Sequence, residues 1–198
     1  MSFRSSIRLM AAVLCLGWTL QYAHAQDAKP AGESAKVEFG GGKVVFTLTA
    51  EWKSVPPKNN VIAAEFTAPA NEEKAEKRAR VTFSSAQGSV EANIDRWYAQ
   101  FVQPDGSSTK DKSKVEVIDV QGQKVHMVDI KGTYKDGGGA PFAPQANPVM
   151  RENYGMLGAV VETTKYGKIF VKVTGPAETL EKLKDGFRKT LESMEVQK

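Results

Sequence analysis

The stretch that decides the fold is residues 154–176, YGMLGAVVETTKYGKIFVKVTGP. Residues 154–164 and 168–174 are rich in β-branched and aromatic side chains, and the turn sequence Lys165-Tyr166-Gly167 lies between them. This arrangement predicts a β-hairpin. Both runs are apolar at odd and even positions, which is typical of a sheet covered on both faces. Gly175-Pro176 ends the second run, and proline fits the first turn of a helix.

Two segments have the periodicity of helices rather than strands. The first begins at Ser89, a favourable N-cap residue, and ends before Pro104-Asp105-Gly106. The second follows the hairpin directly. Apolar residues recur three or four positions apart in both, so each predicts one buried helix face. These residues are Val90, Ile94, Trp97 and Phe101 in the first helix, and Ala177, Leu180, Leu183, Phe187, Leu191 and Met194 in the second.

The remaining strands complete the predicted fold. Residues 43–49, 61–67 and 79–85 are strand-like runs, and residues 115–120 and 124–134 flank the hairpin sequence Gln121-Gly122-Gln123. The order is therefore three strands, one helix, four strands and one helix. This order predicts an α+β fold in which an antiparallel sheet of about six or seven strands is covered by helices.

The N-terminal residues predict export. Arg4 and Arg8 precede an apolar run over residues 9–20, and Ala23-His24-Ala25 supplies the small residues that signal peptidase requires. Cleavage before Gln26 is expected. The alternative is a membrane anchor, but the 17 uncharged residues from Leu9 are short of the roughly 20 that a spanning helix needs. We predict a signal peptide over residues 1–25, a flexible tether over 26–36, one domain over 37–198, and a periplasmic or extracellular location.

Removing the signal peptide excludes several kinds of chemistry. Cys15 and His24 leave with it, so His126 is the remaining histidine and no cysteine is left. Thiol nucleophiles, thiolate zinc sites and multi-histidine metal sites are thereby excluded. The mature chain keeps 25 of the 27 basic side chains against 23 acidic ones, a formal charge of +2. We therefore predict no metal site and no cofactor. We also predict no nucleic-acid partner, because the formal charge is small and Asp111 interrupts the lysines at 110–114.

Several phrases of the sequence resemble a known fold. The order of the elements, with Glu51-Trp52 after the first strand and a closing amphipathic helix, resembles the PsbP-like fold, named for an extrinsic subunit of the oxygen-evolving complex of photosystem II. More specific phrases are similar to a family of exported bacterial proteins of unknown function, over residues 37–195. These phrases are Asn93-Ile94-Asp95-Arg96-Trp97, Gly132-Thr133-Tyr134, Asn153-Tyr154-Gly155-Met156-Leu157-Gly158 and Lys172-Val173-Thr174-Gly175-Pro176. The resemblance implies a non-catalytic subunit that binds and stabilises a larger assembly.

The sequence contains no recognisable catalytic motif. His126 lies in the middle of a predicted strand, and we expect a neighbouring side chain to satisfy it. Gly40-Gly41-Gly42-Lys43 lacks the spacing of a phosphate-binding loop. Paired carboxylates remain the one enzymatic option. We therefore predict no catalytic residues and a non-catalytic binding or accessory domain, with a carboxylate-dependent hydrolase as the alternative. The acids in or near elements are Glu51, Glu65, Asp95, Asp129, Glu152 and Glu162.

Four residues are the candidates for binding: Trp52, Phe142, Arg151 and Tyr154. Trp52 is either a lid packed on the sheet edge or an exposed contact. The other three belong to or follow residues 135–152, KDGGGAPFAPQANPVMRE, which predict an 18-residue connection without regular structure. Aromatic and arginine side chains are enriched in interface anchors. The alternative is that Phe142 and Met150 only pin this connection to the sheet edge.

Overall fold

The computed structural model describes residues 35–137 and 147–197. The predicted signal peptide, nearly all of the predicted tether and Phe142 lie outside these ranges. The described residues form, in chain order, β1 (Lys36–Phe39), β2 (Val44–Thr47), β3 (Lys53–Val55), β4 (Ile62–Ala68), β5 (Ala79–Ala86), α1 (Val90–Tyr98), β6 (Phe101–Val102), α2 (Thr109–Lys112), β7 (Lys114–Val120), β8 (Gln123–Asp136), β9 (Val149–Thr163), β10 (Gly167–Pro176), α3 (Ala177–Glu192) and β11 (Glu195–Val196).

The main sheet is antiparallel and has the quoted hairpin at its centre. Its spatial order is β3-β4-β5-β10-β9-β8-β6, with β7 also paired to β8. A second, three-stranded sheet has the order β1-β2-β11. The predicted α+β class with an antiparallel sheet is confirmed. The main sheet has eight strands because the short β3 and β6 add to the longer runs that the sequence pattern indicates.

Both faces of the main sheet are covered, as the apolar pattern of the hairpin predicts. On one face, Leu157 and Val171 pack with α3 and the small sheet in one buried cluster. On the other face, Met156 and Val160 pack with α1 in a second cluster. We call the second the α1 face. Trp97 lies so close to the sheet there that a Cβ at Gly158 would be 2.6 Å from the indole ring.

The first helix ends earlier than its apolar stripe predicts. Ser89 caps it as expected, its side chain accepting a hydrogen bond from the Ala92 N–H. The helix ends at Tyr98, however, and Phe101 belongs to β6, where it pairs with Tyr134. Trp97 and Phe101 are both buried, as predicted. A strand buries Phe101 as well as a further helical turn would, so the stripe alone does not fix the end of the helix.

The predicted connection over residues 135–152 is shorter than its sequence indicates. β8 continues to Asp136 and β9 begins at Val149, because Lys135 and Met150 still pair across the two strands. The three glycines and three prolines of the segment all lie within residues 137–148, so its two ends are free to join the ladder. Residues 138–146 lie outside the described ranges.

Candidate binding surface

A bulge in β9 brings two of the predicted binding residues to the same face of the sheet. Gly132 pairs with Tyr154, and the next pair is Tyr134 with Arg151, so two steps on β8 oppose three on β9. Asn153 lies in the bulge with a φ of 54°. Regular alternation would place residues 151 and 154 on opposite faces. The extra residue reverses the alternation, so both side chains lie on the α1 face.

The side chains around this bulge form a compact group, which we call the Tyr-Arg cluster: Tyr134, Asp136, Arg151 and Tyr154. The two tyrosine rings are stacked, with centroids 6.4 Å apart and an interplanar angle of 6°. Nε of Arg151 donates to Oδ2 of Asp136 at 2.7 Å, and its guanidinium lies 5.7 Å from the centre of the Tyr154 ring. Arg151 is thus held by an ion pair on one side and by an aromatic face on the other.

Electrostatics within the Tyr-Arg cluster follow from these contacts. The hydrogen bond to Asp136 raises the pKa of Arg151. Burial raises the pKa of Tyr134, and the Asp136 carboxylate adds to that effect. Tyr134 is therefore a neutral phenol at physiological pH, able both to donate and to accept a hydrogen bond.

The N-terminal end of β9, next to the Tyr-Arg cluster, exposes apolar side chains. Val149 is 59% exposed and Met150 is 50% exposed, and they directly precede Arg151. An exposed valine or methionine alone is ordinary. Val149 lies on the α1 face with Arg151 and the stacked tyrosines, and Met150 lies on the opposite face of the same strand. Together these residues have the composition of an interface anchor.

Trp52 lies elsewhere, in the opposite core. It is 6% exposed, and its ring packs against Phe66 and Phe83 at centroid distances of 6.2 and 6.0 Å. Of the two alternatives for Trp52, a packed lid and an exposed contact, the structure shows the packed one. The ring is therefore not available to a partner. Phe142 lies outside the described residues, and the structure therefore brings together Arg151 and Tyr154 among the four candidates.

A second charged group occupies the α1 face beyond the Tyr-Arg cluster, on β4, β5 and β10. Arg80 donates to both carboxylate oxygens of Glu65, at 2.7 and 3.1 Å. Glu65 is buried and also accepts from the Lys58 N–H at 2.9 Å. Burial opposes its ionisation, but these hydrogen bonds lower the pKa of Glu65 below its ordinary value. Lys172 lies on the adjoining strand, with Nζ 5.7 Å from the centre of the Trp97 ring.

Sequence reasoning missed Tyr134, Asp136, Arg80 and Lys172 as site residues. Their convergence depends on strand order and on the β9 bulge, which residue spacing does not reveal. One signal was available: Tyr134 and Lys172 stand in phrases that carry the resemblance to the PsbP-like fold.

Most of the carboxylates considered for hydrolysis are paired with basic groups. The Asp129 carboxylate lies 2.8 Å from Nζ of Lys184, and His126 Nε2 lies 2.9 Å from Oε2 of Glu162, which is the neighbour expected for that histidine. Glu65 is held by Arg80. Asp95, 3.8 Å from Lys110, borders an open cleft of about 410 Å³ between α1 and the β6–α2 loop. A second cleft, of about 300 Å³, contains Asp129 with Lys184.

Residues 35–137 and 147–197 hold no group of three or more histidine, cysteine, aspartate or glutamate side chains placed to bind a metal ion. No helix in these ranges is both long enough and apolar enough to cross a membrane.

Comparison with known proteins shows the fold. No protein-family model matches the chain, and no curated protein matches it. Among solved structures it is similar to cyanobacterial PsbP (CyanoP) from Synechocystis, with 12% identity, coverage of 86% of this chain and 96% of that chain, and a TM-score of 0.50. The chain therefore has a PsbP-like fold, as the sequence resemblance predicts.

Two further structures are more distant. A protein of unknown function from Pseudomonas aeruginosa is 9% identical, with 84% of this chain and 99% of that chain covered and a TM-score of 0.46. A mutant of the protein Mog1 is 11% identical, with 83% and 96% covered and a TM-score of 0.41.

Proposed function

We propose that this protein is an exported, non-catalytic binding or accessory domain that docks on a protein or another component of the cell envelope. The observation that carries the proposal is the end of β9. There Val149 and Arg151 are exposed on the α1 face beside the stacked Tyr134 and Tyr154 rings, and Met150 is exposed on the opposite face of the same strand. In the sequence, residues 138–146, which include Phe142, lie between β8 and this part of β9.

The chemistry of the surface fits docking better than catalysis. Arg151 is already fixed by Asp136 and by the Tyr154 ring, so it loses little side-chain freedom when a partner binds. Stacked tyrosines offer rigid, amphipathic contact area. The hydrolase alternative needs two carboxylates that converge on a substrate, and in the described ranges Glu65, Asp129 and Glu162 are each engaged by a basic side chain.

Site-specific photocrosslinking in the exporting cell tests the docking surface. A photoreactive amino acid at Met150 should give a discrete crosslinked species, identified by mass spectrometry. The same amino acid at Val117, an equally exposed apolar position on β7, is the matched control and should give none. Equal crosslinking at both positions, or none at either, would contradict the proposal.

Export and the role of the connecting segment need separate tests. Intact-mass measurement of the exported protein should show loss of residues 1–25, and retention of Cys15 would contradict cleavage. Replacing residues 137–148 with a short glycine-serine linker should keep the melting temperature and abolish the Met150 crosslink. Unfolding of this variant would show that the segment serves the fold, and an unchanged crosslink would show that the segment takes no part in recognition.

A further inference from the structure

The α1 face holds an ammonium group, that of Lys172, for which residues 35–137 and 147–197 supply no counter-ion. Lys172 lies in the middle of β10, on a central strand of the sheet, and its Nζ faces the Trp97 ring. No carboxylate among the described residues forms an ion pair with it. Residues 138–146, GGAPFAPQA, contain no acid, so they supply no counter-ion either. A partly buried lysine with only an aromatic ring as partner is costly for the fold.

The nearest charged neighbour is another cation. Thr174 pairs with Arg80 and Lys172 pairs with Thr82, so Arg80 and Lys172 are diagonal neighbours on adjacent strands of the same face. Burial, together with the Arg80 charge, lowers the pKa of Lys172 to about 8. In most proteins, a carboxylate between two such cations offsets their repulsion. Glu65 does not fill this role, because Arg80 and the Lys58 N–H already engage both of its oxygens.

Two neighbouring cations therefore keep unused hydrogen-bond donors on this face. Arg80 uses Nε and Nη2 for Glu65, and no described residue accepts from its Nη1. No described residue accepts a hydrogen bond from the Lys172 ammonium group, which faces the Trp97 ring. The charges of Arg80, Lys172 and Glu65 leave a net of one positive charge, which a single negative charge neutralises.

We propose that Lys172 and Arg80 bind the carboxylate group of a small monoanionic ligand whose apolar part lies against Trp97. The two cations neutralise the charge, and each donates a hydrogen bond to the carboxylate. The site lies on the sheet face between α1 and β5, inward from the exposed end of β9. The inference goes beyond docking and does not depend on it.

The test is an NMR titration of the purified protein with sodium benzoate, at constant ionic strength. Benzoate combines one carboxylate with one apolar ring, and benzyl alcohol is the neutral control. Amide signals of residues 80 and 172 should shift saturably with benzoate and not with benzyl alcohol. The Lys172 pKa, followed through its side-chain signals, should rise on saturation, because the bound carboxylate favours the charged amine.

A matched pair of variants distinguishes the site from general attraction to a basic surface. Lys172→Met should weaken benzoate binding at least about tenfold, the effect of losing one charge-assisted hydrogen bond. Lys168→Met removes a lysine from the same strand and face, one that lies 3.8 Å from Glu162, and should leave benzoate binding unchanged. Lys172→Gln provides the same test if the methionine variant fails to fold.

Three results would overturn the proposal. The first is no saturable shift with benzoate at residues 80 and 172. The second is equal weakening by Lys172→Met and Lys168→Met. The third is saturable binding of inorganic phosphate at these residues without binding of benzoate, which would assign the donors to a phosphate instead.

Discussion

Replacing Lys172 with methionine should stabilise the protein at neutral pH, even though it removes a cation–π contact. Burial and the Arg80 charge lower the pKa of Lys172 from 10.5 to about 8. A fall of this size corresponds to about 3 kcal/mol of unfolding free energy lost whenever the amine is charged. Methionine has a similar length and keeps the packing on Trp97, while the lost cation–π contact offsets about 1 kcal/mol. The expected net stabilisation is about 2 kcal/mol.

The pH dependence distinguishes this cause from better packing. Below pH 8, Lys172 is charged in both the folded and unfolded states, and the wild-type protein bears the whole penalty. Between pH 8 and about 10.5 the unfolded state binds more protons, so wild-type stability rises with pH relative to the variant. The advantage of Lys172→Met should therefore be largest below pH 8 and should disappear by about pH 10.5. Arg80, the charged group that acts on Lys172, and Glu65, which is bound to Arg80, are the same in both proteins.

Urea unfolding followed by far-ultraviolet circular dichroism, at intervals from pH 6 to pH 10.5, measures this difference. Lys168→Met is the control, and its difference from wild type should not follow the same curve. Two results would refute the reasoning. One is a destabilised Lys172→Met at pH 7, and the other is an advantage that stays constant across the pH range.

Three further changes test the packing and the bulge. Gly158→Ala should cost about 1–3 kcal/mol of unfolding free energy, measured by urea unfolding, because the added methyl would lie 2.6 Å from the Trp97 ring; a neutral effect would mean that α1 shifts freely on the sheet. Phe187→Ala should cost about 3–5 kcal/mol in the same assay, because the ring is fully buried under the sheet; a loss below about 1 kcal/mol would contradict that burial. Asn153→Gly should be tolerated and Asn153→Val should cost about 1–2 kcal/mol, since the φ of 54° suits glycine and not a β-branched residue; equal stability of the two would show that the bulge does not need this conformation.

The parts of the fold that the sequence predicts are those set by local patterns. The hairpin around Gln121-Gly122 is confirmed, and both of its turn residues have positive φ values, 53° and 77°. The N-cap of α1 at Ser89 is confirmed for the same reason, as are the buried α3 residues Leu180, Leu183, Phe187 and Leu191. Ala177 is only half-buried, and Met194 is buried beyond the end of α3 at Glu192. Helix capping, the residue types of a turn and amphipathic spacing each depend on residues that are close in sequence. They can therefore be predicted without knowing how the rest of the chain folds.

The features that the sequence does not reveal depend on distant partners. β8 and β9 continue beyond their patterned cores because each supplies the other with hydrogen bonds, and neither end is apolar enough to indicate this alone. The Tyr-Arg cluster requires the bulge in β9. The local sequence indicates this bulge only through Asn153, because asparagine tolerates a positive φ. Arg80 and Lys172 lie 92 positions apart and become neighbours only through the pairing of β5 with β10.

The location of the charged groups follows from a mismatch between the sheet and its covering helix. The main sheet is seven strands wide, because β6 and β7 both pair with the same side of β8. Seven strands about 4.8 Å apart span about 29 Å, whereas a helix with its side chains is about 10 Å wide. α1 has nine residues and packs over β8, β9 and β10, where Val90, Ile94 and Trp97 of the helix join one apolar cluster with the sheet. The same face of β4 and β5 lies beyond the reach of this helix and carries Glu65 and Arg80. A charged cluster there is held by the hydrogen-bonded strands of the sheet, and it is therefore preorganised for a ligand rather than dependent on loop closure.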